Sequence, residues 1–273
     1  MNRLCMIVLC HRISALNAYK RKDAFQREVR PLLLQNTGIY GILMMQKGGI
    51  IMQLPQEIFS NTLPFWNTIE EADQHILYSS TVSKSFSAGE NIHSGGECSG
   101  VIFVRSGCLR VYILSENGKD ITLYRLFPGD MCMLSASCVL ESITFDVTID
   151  AEEASECIII GGAAYNALSQ KYKDIRIFSL ETAVSRFSDI MWVMQQILFM
   201  SMDRRLAVFL IDEAARTGSD EILLTHEQIA RYIGSAREVV SRMLKYFVSE
   251  GMVEVSRKGI RIIDKEKLRK LTL

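Results

Sequence analysis

The chain has 273 residues, 48% hydrophobic and 23% charged, and its 31 Lys plus Arg balance 31 Asp plus Glu. That is enough for two modest globular domains and too polar for a membrane bundle. The longest apolar runs, such as residues 4–10, fall far short of the roughly 20 residues of a spanning helix. Cys10 is followed by His11 and Arg12 rather than by a small-residue cleavage site, so no signal peptide, no membrane partner and a cytoplasmic location are expected.

The zero net charge hides a gradient. Lys plus Arg against Asp plus Glu count 8 to 2 in residues 1–51, 9 to 18 in 52–200 and 14 to 11 in 201–273, so the acidic middle is unsuited to a polyanion and the carboxyl end is the part that phosphates would attract. Seven cysteines (5, 10, 98, 108, 132, 138 and 157) without an export signal point to free thiols in a reducing compartment. None forms a CxxC pair, so neither a four-thiolate zinc site nor an iron–sulfur cluster is signalled, and no metal is expected.

Residues 1–51 are basic, carry no clear period, and read as a disordered extension or as sequence upstream of a later start at Met44, Met45 or Met52. Residues 52–170 read as a sensor domain: glycines at 89, 95, 96, 107, 118 and 129 interrupt short β-rich runs, as in an antiparallel roll. The clearest strands are 101–104, 109–114, 121–126 and 157–160. Asn117-Gly118 predicts a tight hairpin, and Pro128-Gly129-Asp130 another turn.

Residues 171–202 carry a heptad-like stripe, Leu180, Val184, Phe187, Met191, Met194 and Leu198, whose spacings alternate four and three. Such a seam predicts a homodimer interface; the alternative is a helix packed on its own β-domain. Within residues 203–273 an amphipathic helix over 205–217 is closed by Gly218. Thr225-His226-Glu227-Gln228 then has the form of a capping box that opens the next helix.

Gly234 ends that helix, Ser235 is positioned to cap a second one, and Ala230, Gly234 and Val240 are spaced for two tightly crossing helices: a small residue at the contact, a turn glycine and a buried β-branched residue. With Val239, Met243, Leu244 and Phe247 turned inward, Arg237, Glu238, Ser241, Arg242 and Lys245 remain on the outer face. Arginine donates twice to guanine and glutamate accepts from the cytosine amino group, so Arg237, Glu238, Ser241 and Arg242 are the base-reading candidates. Strands over 252–256 and 260–263 around Arg257-Lys258-Gly259 form a wing. Thr225, Ser235, Lys245, Arg257 and Lys258 are the candidate phosphate contacts. An isolated helix with these residues would equally be a solvated face with a Glu238–Arg242 ion pair; the box, turn glycine, wing and seam together favour double-stranded DNA.

The fold class is thus α+β: an N-terminal antiparallel β-roll (double-stranded jelly roll), a long dimerisation helix and a C-terminal winged helix-turn-helix. From about Leu54 onward the chain resembles the Crp/Fnr family of bacterial transcription regulators, on Arg105-Ser106-Gly107-Cys108-Leu109-Arg110-Val111-Tyr112, on Leu126-Phe127-Pro128-Gly129-Asp130 and on the two C-terminal helices. The resemblance implies a homodimer on a two-fold symmetric operator, with RNA polymerase as a further partner. Glu238-Val239-Val240-Ser241-Arg242 matches the family's Glu-x-x-Ser-Arg pattern, and Arg237 the Crp-type one, which implies half-sites containing TGA.

The effector is left open. Where the cyclic-nucleotide-binding members carry an Arg-Ser pair and a glutamate, this chain runs Met131-Cys132-Met133-Leu134-Ser135-Ala136-Ser137-Cys138, and residues 126–170 contain no Lys, Arg or His. A buried cyclic phosphate would lack a cation from its own segment, so cyclic AMP is not expected. The compact N-terminal cysteine cluster of the iron–sulfur members is missing too. Cys132 and Cys138 are a candidate redox or effector pair or metal or haem ligands, or simply small core thiols; His93, beside Gly95-Gly96 and Cys98, is a candidate haem or metal ligand but reads first as a hydrogen-bonding surface residue of a loop. Two other classes compete with a DNA reader. One is a small-molecule sensor whose winged helix binds protein; the other is a cupin-like enzyme, for which the strands lack the His/Glu cluster, so no catalytic residue is named.

Overall fold

In a computed structural model the described residues are 43–46, 49–52, 57–95, 98–116, 118, 120–136 and 146–272. The chain forms two compact units, residues 1–54 and 55–273. In the first, β1 (Leu43–Gln46) pairs antiparallel with β2 (Gly49–Met52). The basic stretch before it lies outside the described residues.

The second unit opens with α1 (Glu57–Thr62) and α2 (Glu71–Ser79), then a roll of two four-stranded antiparallel sheets. One has the order β3-β10-β5-β8, from β3 (Thr81–Phe86), β10 (Ser155–Ile160), β5 (Val101–Ser106) and β8 (Met131–Cys132). The other has the order β4-β9-β6-β7, from β4 (Asn91–Ser94), β9 (Thr148–Ala151), β6 (Leu109–Leu114) and β7 (Asp120–Leu126). Inward-facing Ile102, Leu109, Val111, Leu126 and Ile149 close the core between the sheets, as aligned sheet packing requires. Gly107 carries the turn between β5 and β6 at φ +84°, where a Cβ would lie 2.2 Å from Ser155 Oγ; no other residue fits. The β6–β7 loop is longer than a two-residue hairpin, since Leu114 pairs with Asp120. Gly118 has the anticipated positive φ, and Asn117 lies outside the described residues.

α3 (Gly162–Lys171) leads into α4 (Lys173–Phe199), the long helix. It seats Ile175 and Ser179 near its start and Ile190 on the roll core, while Leu180, Val184, Phe187, Met191, Met194 and Leu198 stay exposed. α5 (Met202–Thr217) ends at Gly218 in the left-handed conformation. Then come β11 (Glu221–Ile222), α6 (His226–Tyr232), α7 (Arg237–Ser249), β12 (Val253–Ser256), β13 (Gly259–Ile262) and α8 (Lys265–Leu271), around a core of Leu206, Leu210, Ile229, Val240, Leu244 and Phe247. No helix of the described residues is long and apolar enough to cross a membrane.

Two expectations need correction here. Cys98, which is exposed, is disulfide-bonded rather than a free thiol. Cys108, Cys132 and Cys157 are free and buried, and burial pushes the Cys108 and Cys157 thiols up to about 12 and about 11, which keeps them protonated and unreactive. His93 is no surface loop residue. It lies buried on β4 with Nδ1 2.8 Å from Ser99 Oγ, and its pKa is lowered because burial disfavours the cation more than Asp146 favours it.

Candidate nucleic-acid interface

The interface is built around the α6–turn–α7 motif. Thr225 caps α6 reciprocally: its Oγ1 accepts from Gln228 N at 3.2 Å, and its N–H donates to Gln228 Oε1 at 2.9 Å. Its hydroxyl proton points to the same Oε1, so a phosphate contact from Thr225 requires this bond to be exchanged. The turn glycine, Gly234, sits at φ +61°, with Ile197 of α4 3.4 Å from where a Cβ would be.

The second helix starts later than Ser235 suggests. Ser235 N–H donates back to Ala230 O, which binds that residue to the preceding turn, and the cap falls to Ala236. Alanine supplies no side-chain cap. Val240, Leu244 and Phe247 are the fully buried residues, while Val239 and Met243 are only half-buried flanks.

Outward, Arg237, Glu238, Ser241, Arg242 and Lys245 line one open concavity of about 390 Å³. Arg237, Glu238, Arg242 and Lys245 are exposed, and among the described residues no ion pair joins Glu238 to Arg242. Ser241 is the exception on this face, since its Oγ lies 2.8 Å from Nδ1 of His226. The wing tip, Arg257-Lys258, is exposed where Ser256 pairs with Gly259. Further cations of this end are engaged internally: Arg261 pairs with Glu254, Lys265 with Asp220 and Arg269 with Glu266. The basic excess of the C-terminal segment is therefore focused on α7 and the wing.

Behind α6 lies a polar junction with the roll that sequence reasoning missed. Arg125 of β7 reaches Glu213 of α5 at 2.6 Å, and Arg216 completes a cluster around the same carboxylate. Arg125 also stacks against Tyr232, whose hydroxyl donates to Glu152 at 2.7 Å, while Thr122 Oγ1 donates to Arg231 O at 3.0 Å. Burial alone would raise the Glu213 carboxyl, but the hydrogen bonds from Arg216 and Arg125 outweigh it and hold the group below the ordinary carboxylate range. The only signal for this junction was a set of charges inside otherwise apolar segments.

On the roll side, Cys132 is fully buried with its Sγ 3.9 Å from Tyr124 Oη; Cys138 lies outside the described residues. The segment after Asp130 does have an arginine nearby, supplied by α4. Arg186 stacks on Tyr124 and lies 3.4 Å from Asp130 Oδ1 and 3.0 Å from Asp189 Oδ2. Among the described residues no three His, Cys, Asp or Glu side chains converge on a metal-sized site.

A roll of two antiparallel sheets, a long helix with an apolar outer stripe and a winged helix with a basic second helix define a class: a sensor-type roll joined to a DNA-binding module. The comparisons narrow the class. The family model for a cyclic nucleotide-binding domain matches residues 83–172, and that for a Crp-like helix-turn-helix domain matches residues 204–271. A solved transcriptional regulator of the Crp/Fnr family from Eubacterium rectale is 42% identical with a TM-score of 0.73, covering 78% of this chain and 99% of its own. The transcriptional activator FnrA of Stutzerimonas stutzeri is 28% identical over 185 residues, 64% of this chain and 74% of that protein. The cAMP-activated regulator Vfr of Pseudomonas aeruginosa is 25% identical over 175 residues, 61% of this chain and 82% of that one. The chain belongs to the Crp/Fnr family of transcription regulators.

Proposed function

We propose that this chain is a sequence-specific regulator that binds, as a homodimer, a palindromic operator with TGA-containing half-sites. The observation that carries the reading is the outer face of α7, where Arg237, Glu238, Ser241 and Arg242 share one open concavity and, among the described residues, none of the charged ones is held in an ion pair. Unpaired guanidinium and carboxylate groups on a helix of this size are equipped to address base edges in a major groove. Lys245, Ser235, Thr225 and the wing residues Arg257 and Lys258 flank that face as phosphate contacts.

Homodimerisation through α4 is supported by the exposure of Leu180, Val184, Phe187, Met191, Met194 and Leu198, an apolar stripe longer than an isolated helix in water tolerates. The domain limits follow as a basic extension over 1–51, a sensor roll over 52–170, the dimer helix over 171–202 and the DNA-binding domain over 203–273. Signalling runs from the roll to α7 through two contacts, Ile197 against Gly234 and the Arg125–Glu213 junction. The effector acts at the roll, near Cys132 and Arg186, which both contact Tyr124. Cyclic AMP is disfavoured there because Arg186 already faces Asp130 and Asp189. The protein is not an enzyme, works in the cytoplasm and reaches RNA polymerase from the operator.

A gel-shift titration with a palindromic TGA-containing duplex tests the reading. The expected result is a salt-sensitive shift that a scrambled duplex does not give, with discrimination relaxed by Arg242→Ala. No sequence-dependent shift under reducing or oxidising conditions, with or without added nucleotides, overturns it.

A further inference from the structure

Ser241 is the base-reading candidate whose side chain already has a partner. Its Oγ sits 2.8 Å from Nδ1 of His226, a half-buried ring at the start of α6, in a bond that crosses between the two helices of the motif. A serine hydroxyl has one proton, and an imidazole nitrogen either donates or accepts according to its tautomer. With the ring proton on Nε2, Nδ1 accepts the Ser241 proton, and Oγ presents only lone pairs to the groove, suited to the amino groups of adenine or cytosine. With a proton on Nδ1 the bond reverses, and Ser241 is left to donate toward guanine O6, purine N7 or thymine O4. Burial, followed by the Arg237 cation on α7, lowers the His226 pKa, so the neutral ring prevails at neutral pH.

We propose that His226 is a positioning residue for DNA reading: through its bond to Ser241 it fixes whether that hydroxyl addresses the base as donor or acceptor. The proposal rests on the reading of α7 as a recognition helix and adds a specificity determinant on the neighbouring helix. Its location is selective. Arg237, Glu238 and Arg242 are exposed and, among the described residues, have no such bond, so His226 acts on one of the four base-reading candidates and on one base pair.

The test measures affinity for a palindromic duplex and for a panel of single-base-pair variants of its half-site, with the full chain, His226→Phe, Ser241→Ala, the double variant and Arg242→Ala. His226→Phe keeps a ring without a polar atom and is expected to change preference about ten-fold at the one base pair that Ser241→Ala also affects. The double variant is expected to go no further than Ser241→Ala, because the two act as one unit. His226→Asn, whose amide reaches the Nδ1 position, is expected to restore discrimination at that base pair. A uniform loss across all duplexes with His226→Phe, an additive double variant, failure of His226→Asn to restore, or a Ser241→Ala variant without any base-pair effect each overturns the proposal. If the full chain itself shows no preference and Arg242→Ala changes nothing, the recognition-helix reading fails with it. A wild-type preference relaxed by Arg242→Ala beside an inert His226→Phe removes this inference alone.

Discussion

The chain holds its arginines in two opposite ways on either side of the helix-turn-helix. At the junction with the roll, Arg125 is half-buried, stacked on Tyr232 and matched to Glu213, a carboxylate only 3% exposed. On α7, Arg237 and Arg242 extend into solvent and, among the described residues, carry no ion pair. The difference teaches what each group is for. A buried pair returns little net stability but is costly to break, so it fastens one arrangement of the domains. An exposed unpaired cation gives almost nothing to folding, and its value lies in what it meets outside.

The largest effect is expected at the fastened side. Arg125→Ala leaves Glu213 with one of its two arginine partners missing, and removing one member of such a buried pair costs about 3–5 kcal/mol, read as a lowered midpoint in chemical denaturation. An unchanged midpoint would mean the junction is not closed in solution. The same cluster gives a pH signature. Because the folded Glu213 carboxyl lies below its usual 4.5, its stabilisation is complete above that value and fades as the pH falls through the folded pKa. Glu213→Gln should flatten that acid limb of the stability profile.

Next comes the dimer stripe. Phe187, 62% exposed in the single chain, lies on the apolar stripe, so Phe187→Asp should leave the fold intact while shifting sedimentation to the monomer. An unaltered sedimentation coefficient would show that the stripe is not the interface. Arg242→Ala is expected to cost about 1–3 kcal/mol on the preferred duplex and far less on a scrambled one, with no change in thermal stability. The smallest effect belongs to the wing. Arg257→Ala or Lys258→Ala should weaken binding to all duplexes alike and reduce the slope of log K against log salt by about 0.9 for each lost phosphate contact.

The comparison also explains what could be read from the residues alone. Strand β6 and the Thr225 capping box were legible to the residue, because alternation and capping are local rules. So was the α4 stripe, whose heptad spacing needs no knowledge of the roll. The cap of α7 slipped by one residue because the Ser235 N–H is claimed by Ala230 O, a bond set by how tightly the preceding turn closes. The Arg125–Glu213 junction, Arg186 facing Asp130 and the His226–Ser241 bond were not legible. Each joins residues 15 to 88 positions apart, and no periodic signal announces such a pairing.

The most direct test of the central claim compares the affinity of the full chain for a duplex carrying two intact inverted half-sites with its affinity for one in which a single half-site is scrambled, at equal salt. Two copies reading through α7 predict one complex of two chains per duplex and at least about a ten-fold loss when one half-site is destroyed. Equal affinity for both duplexes, or a complex containing a single chain, would contradict the account.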